Sequence, residues 1–196
     1  ILACFVADEE GLSKGSYQLV KEGVLKADYA IMGECRYDNV AVGFRGRFSF
    51  DVTVKGKAAH ASHYPEVGEN ALISGGKLAA AIEALPTKTH PHLKHGTWCV
   101  RYMEGGTTGA LIVPDSCYLF VDRYVVPGET EETCIEQMRQ AAASVGLADK
   151  VDIRLRPRKS PYMKSFAIPE DHDLVVTLKK NFKAVTNEEL RIDYDP

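Results

Sequence analysis

The chain has 196 residues, 45% hydrophobic and 26% charged, with a formal net charge of −3. That is ordinary globular composition, and it argues against a strongly basic nucleic-acid or membrane-surface binder. No apolar run reaches the roughly 20 residues a membrane-spanning helix needs, and the five cysteines (4, 35, 99, 117 and 134) form no C-x-x-C pair, which argues for reduced thiols in a cytoplasmic protein.

Residues 1–7 are an unbroken apolar run, the pattern of a strand covered on both faces. With no initiator Met and no signal-peptide layout, a strand at the first residue reads as the interior of a longer protein. Residues 190–196, which stop without a polar tail, read the same way. Ser13 can cap a helix running to about residue 22, with Gly23 at its end. Residues 27–32 form a second apolar strand, completing a βαβ-like unit, and 40–44 a third.

The pattern changes near Gly46. Phe48, Phe50, Val52 and Val54 alternate with Ser49, Asp51, Thr53 and Lys55, which predicts a strand with one wet face. Asn70 caps a helix to about residue 85, stopped by Pro86, and strands follow at 97–104 and 117–126. Thr130 caps a helix whose first turn carries Glu131 and Glu132, favourable to the macrodipole, and Gly146 ends it. Val151, Ile153 and Leu155 alternate with polar residues. The order over 47–157 is therefore βαββαβ, a ferredoxin-like arrangement. Residues 160–170 read as a linker and 173–185 as an amphipathic helix. The predicted fold class is α/β: a ferredoxin-like lid, 47–159, inserted in a partial α/β domain formed by 1–46 and the return segment 160–196.

Three places could carry chemistry. Asp8-Glu9-Glu10 follows the first apolar run, and Glu34 follows the second. Carboxylates at the ends of buried parallel strands lie where α/β sheets bind ligands, and they suit divalent cations. Each is also an ordinary solvated turn when taken alone. His60 lies in Gly56-Lys57-Ala58-Ala59-His60-Ala61-Ser62, a loop of small residues open to a substrate, or simply an exposed loop histidine. His90, His92 and His95 read as a solvated loop, and Gly105-Gly106 as a tight turn without the ending of a phosphate loop. No nucleophile elbow occurs.

Taken in order, these segments resemble the zinc-dependent deacylases and exopeptidases that include acetylornithine deacetylase, succinyl-diaminopimelate desuccinylase, glutamate carboxypeptidase and aminoacylase. The matching stretches are Ala7-Asp8-Glu9-Glu10-Gly11, Gly33-Glu34, Gly43-Phe44-Arg45-Gly46 and the His60 loop with Pro65-Glu66-Val67-Gly68-Glu69-Asn70-Ala71 behind it. Glu104-Gly105-Gly106, Val113-Pro114-Asp115 and Pro127-Gly128-Glu129-Thr130 follow. The resemblance implies a two-metal amidohydrolase acting on an N-acyl amino acid or small peptide. It holds two zinc ions, with cobalt or manganese as alternatives, and forms a homodimer through the lid. Glu9 then matches the general base, Glu10 and Glu34 the ligands of the two metals, and His60 a lid histidine that crosses the dimer to stabilise the oxyanion. Arg123 matches a lid arginine that holds the substrate carboxylate. Glu at position 34 leans toward a deacylase.

The family's His-x-Asp segment, bridging Asp and final His have no counterpart in this chain, so the chain alone is expected to bind zinc weakly and hydrolyse nothing. Leu111 stands where many relatives have a substrate-binding Asn. The rival reading is a non-catalytic dimerisation module, with Gly75-Gly76 and Ala79-Ala80-Ala81 packing closely across a twofold axis. An isolated ferredoxin-like ligand-binding domain ranks last, because it leaves the ordered motifs idle.

Overall fold

The computed structural model describes residues 1–9, 11–33 and 38–195. Before residue 39 the described chain has one regular element, helix α1 (Lys14–Lys21). Ser13 precedes it, but in the left-handed region (φ 51°) and without a side-chain cap. The capping falls instead to Asp8, whose Oδ2 accepts from the N–H groups of Leu12 and Lys14, each at 3.4 Å. The strands expected at 1–7 and 27–32 do not form. Both stretches are exposed and pair with no other strand, and Phe5 and Met32 stand largely in solvent. An apolar run becomes a buried strand only where neighbours cover it, and the described chain supplies none there.

Strand β1 (Asn39–Phe44) leads directly into β2 (Gly46–Lys55), where the lid begins. Helix α2 (Ala71–Glu83) is followed by a two-rung hairpin, β3 (Thr89–His90) and β4 (Lys94–His95). Then come β5 (Thr97–Gly105), β6 (Ser116–Val125), helix α3 (Glu131–Ser144) and β7 (Val151–Leu155). The four long lid strands form one antiparallel sheet in the order β5-β6-β2-β7. With the hairpin set aside, this is the expected ferredoxin-like lid.

The alternation explains the sheet. Phe48, Phe50, Val52 and Val54 of β2 all face the helices, and the last three are fully buried. They pack with Leu119 and Val121 of β6 and with Leu78, Ile82 and Met138 from the helices. Helix α2 buries Ala71, Gly75, Leu78 and Ile82, one stripe at helical spacing. Asn70 Oδ1 accepts from the N–H groups of Leu72 and Ile73. At α3, Thr130 and Thr133 cap each other reciprocally.

Gly75 departs from its expected role. A Cβ there would overlap Cys117 Sγ and lie 3.1 Å from Cys117 Cβ. Its missing side chain lets α2 sit down on the sheet within the chain rather than across a twofold. Gly76 meets nothing within 4 Å and is the outward one of the pair.

The wet face of the sheet is wetter in sequence than in space. Arg101 and Arg156 lie over the Phe120 ring at 5.6 and 4.9 Å, and Arg45 over Tyr124 at 5.1 Å. The guanidinium groups lie over the ring faces, and Arg101 and Arg156 also bond to carboxylates, Asp122 and Asp51. Asp122, 3% exposed, accepts from Arg47, Arg101 and Ser49 at 2.9, 2.6 and 2.7 Å.

After the lid, β8 (Phe166–Ala167), helix α4 (Asp173–Thr186) and β9 (Arg191–Asp195) return to β1. They form the sheet β8-β1-β9, with β9 parallel to β1. The expected linker thus contains a strand, and so does the terminal stretch. Entry and exit of the lid touch: Arg47 N–H donates to Met163 O at 3.0 Å. A Cβ on Gly46 would lie 2.7 Å from Met163 O and overlap Ser165 N, so only glycine fits at this crossing.

Candidate active site

His60 sits in a loop that two other segments hold. Lys57 and Glu69 exchange backbone hydrogen bonds at 2.9 and 2.8 Å, and Gly56 N–H donates to Asp115 O at 2.8 Å. Ala61 N–H donates to Leu111 O at 2.9 Å, and Val113 N–H to Ala59 O at 2.8 Å. His60 and Ile112 therefore face each other in an isolated antiparallel bridge. The alanines at 58, 59 and 61 leave room for this close pairing.

The same residue caps a 3-10 turn, Ala61–His63. Its Nδ1 accepts from Ser62 N–H at 3.3 Å and lies 2.8 Å from Ser62 Oγ. A ring nitrogen that accepts carries no proton, so the neutral imidazole holds its proton on Nε2. The ring is exposed. The loop thus presents one oriented N–H donor on a braced backbone, the kind of group that can meet a developing oxyanion.

The acidic segment divides differently. Asp8 has φ 68°, caps α1 and pairs with Lys14 at 3.8 Å, so its carboxylate serves the local fold. Glu9 is exposed, and its carbonyl accepts from Ser13 Oγ at 3.3 Å. Glu10 and Glu34 lie outside the described residues. Among the described residues no group of three or more His, Cys, Asp or Glu could hold a metal ion. No hydrogen bond or ring contact joins Glu9 to His60 among the described residues.

Arg123 is placed where a substrate cannot reach it. Its side chain is fully buried, paired with Glu129, and stacked on Trp98 at 4.6 Å. Its Nη1 also donates to Tyr124 O at 2.9 Å. Glu129 is held in turn by Val126 N–H at 2.9 Å. The guanidinium of this chain is spent on joining β6 to the turn before α3. Sequence parity carried the signal: Cys117, Leu119, Val121, Arg123 and Val125 alternate on the core face of β6.

The remaining polar clusters are also structural. His90 Nδ1 accepts from the N–H groups of His92 and Leu93, both at 3.3 Å, and His92 stacks on Tyr194 at 4.3 Å. The supposed solvated loop is a hairpin anchored by the fully buried Leu93. Burial pushes the Cys117 and Cys134 thiols up, away from the reactive thiolate. Burial also pushes the Asp122 carboxyl up, but hydrogen bonds from Arg101, Ser49 and Arg47 outweigh it and hold the group below its ordinary value.

Comparison with known proteins follows the same geography. The family model for the peptidase dimerisation domain matches residues 42–150, more than half of the chain. Acetylornithine deacetylase of Myxococcus xanthus is 28% identical over 165 residues, covering 79% of this chain and 43% of that protein. Carboxypeptidase G2 of Pseudomonas sp. (strain RS-16) is 36% identical over 81 residues, 40% of this chain and 20% of that protein. The chain thus spans less than half the length of these curated relatives. Among solved structures, a tripeptidase from Staphylococcus aureus superposes with a TM-score of 0.72 at 19% identity, over 95% of this chain and 48% of its own. Aminopeptidase PepT from Bacillus cereus gives 0.69 at 23% identity, over 96% and 48%. These likenesses support the fold, and the matched lid settles the family: the chain belongs to the peptidase dimerisation domain family.

Proposed function

We propose that the full-length protein hydrolyses an amide bond in an N-acyl amino acid or small peptide, in a metal-dependent reaction, as a homodimer joined through the lid. The observation that carries this reading is His60: exposed, braced on both sides, and with Nδ1 engaged by Ser62 so that Nε2 is left to meet a substrate. Such a donor stabilises the oxyanion of a tetrahedral intermediate and is typically worth 10²–10³ in kcat. Relatives named as a deacetylase and a carboxypeptidase support the same chemistry.

In this reading Glu9 takes a proton from the attacking water and passes it to the leaving amine. Glu10 and Glu34 are proposed to hold divalent ions, zinc first, whose chemistry is to bring water's pKa to about 7. His60 is proposed to act on the site of a partner copy, and among the described residues no hydrogen bond or ring contact joins it to Glu9. Strand β5 supports the dimer. It is an edge strand of nine residues, largely exposed, with Tyr102 and Met103 half in solvent. An unpaired edge of that length is a template for a second chain. No described helix is long and apolar enough to cross a membrane. The described cysteines are all free, which supports a cytoplasmic setting.

The test is turnover of N-acyl amino acids by the metal-loaded full-length protein, beside Glu9→Gln and His60→Ala. Glu9→Gln should abolish turnover, and His60→Ala should cut kcat by about 10²–10³ with little change in KM. Full activity in either variant would overturn that residue's role. A second reading is specific to residues 1–196 alone: the lid buries its own core, so this stretch by itself is a dimerising module without activity. Hydrolysis by the isolated stretch would overturn it.

A further inference from the structure

We propose that Ile112 sets substrate preference by placing an apolar wall beside the His60 donor, so that the favoured substrate carries an aliphatic group next to the scissile amide. The inference rests on the hydrolase reading above. Three observations carry it. First, His60 and Ile112 are direct partners in the isolated antiparallel bridge. The hydrogen bonds flank them, Ala61 N–H to Leu111 O and Val113 N–H to Ala59 O, rather than joining the two residues themselves. That is a non-hydrogen-bonded pair, the arrangement in which opposed side chains lie closest and share one face.

Second, Ile112 is 52% exposed although it sits on a braced backbone, between the buried Val113 and the loop that ends at Leu111. An exposed β-branched side chain held rigidly next to an oriented donor is a surface for a ligand's apolar part. Third, among the described residues His60 bonds to Ser62 and neighbours the His63 ring, and no carboxylate is hydrogen-bonded to it. Leu111, the residue that the sequence singles out, is itself exposed and lies in the bend that leads into Ile112.

The experiment uses the metal-loaded full-length protein and two matched substrate pairs. One pair is N-acetylleucine and N-acetylaspartate, the other N-butyrylalanine and N-succinylalanine. The wild type should prefer the aliphatic member of at least one pair by about tenfold or more in kcat/KM, the range a hydrophobic wall supplies. Ile112→Thr, which keeps the branching at Cβ but replaces the ethyl group with a hydroxyl, should remove that preference by slowing the aliphatic substrate. Ile112→Leu should retain it. Equal use of both members in both pairs, or a preference that survives Ile112→Thr, overturns the proposal and leaves the hydrolase reading standing. No turnover of any substrate by the wild type overturns both. Because Ile112 is half exposed, the melting temperature should not move, and an unchanged value assigns the effect to recognition.

Discussion

Truncating Arg123 to alanine should destabilise the lid by about 3–5 kcal/mol, because it strands the buried Glu129 carboxylate without its partner. Chemical denaturation of the isolated lid or the full-length protein reads this directly. A stable Arg123→Ala variant with weakened substrate affinity would instead return the residue to the binding site. The case shows why one role written from motif order can fail in space. Motif order gives a residue's rank along a strand, but parity decides which face it joins. Arg123 has the parity of Leu119 and Val121, and the arginine is tolerated in the core only because Glu129 and Trp98 receive it. His60 was legible because small residues surround it. Its pairing with Ile112 was not, since that partner lies about fifty residues further along the chain.

Adjacent glycines in α2 should respond in opposite directions. Gly76→Ala meets open space and should gain up to about 1 kcal/mol of helix propensity. Gly75→Ala drives a methyl into Cys117 and should lose about 1–3 kcal/mol, partly restored by Cys117→Ala. Thermal melts of the three variants decide the matter, and equal gains at both positions would refute the packing. The sheet's outer face carries a pH signature. Asp122 titrates lower in the folded lid than its ordinary value because Arg101, Ser49 and Arg47 bond to the carboxylate. Its contribution is therefore complete above about pH 4 and is lost as pH falls through the lower folded value. Asp122→Asn should be less stable at neutral pH and lose less on acidification. Parallel profiles for the two proteins would exclude the network as the cause. The lid elements were legible because alternation, caps and glycine stops agreed along its length. Helix α1 was legible too, but the runs at 1–7 and 27–32 were not, because buried strands need covering neighbours that no local pattern can supply.

For the whole molecule, assembly and chemistry should fail together. Charges at Ile73 and Met103, both about half exposed on α2 and the edge strand β5, should convert the proposed full-length dimer to a monomer by light scattering. The lid's melting temperature should stay unchanged, while turnover falls to that of His60→Ala, since each His60 is proposed to serve the other copy's site. A fully active monomer would sink the shared site. Gly46 has one more implication. The polypeptide enters and leaves the lid at a single crossing, where Arg47 bonds to Met163 and the backbones touch. Two ends that close can be sealed by a short linker, so the lid is a detachable cassette. It could be transplanted onto the body of a tripeptidase-like neighbour, carrying His60 and Ile112 with it, and the hybrid's substrate choice would then follow the donor of the lid.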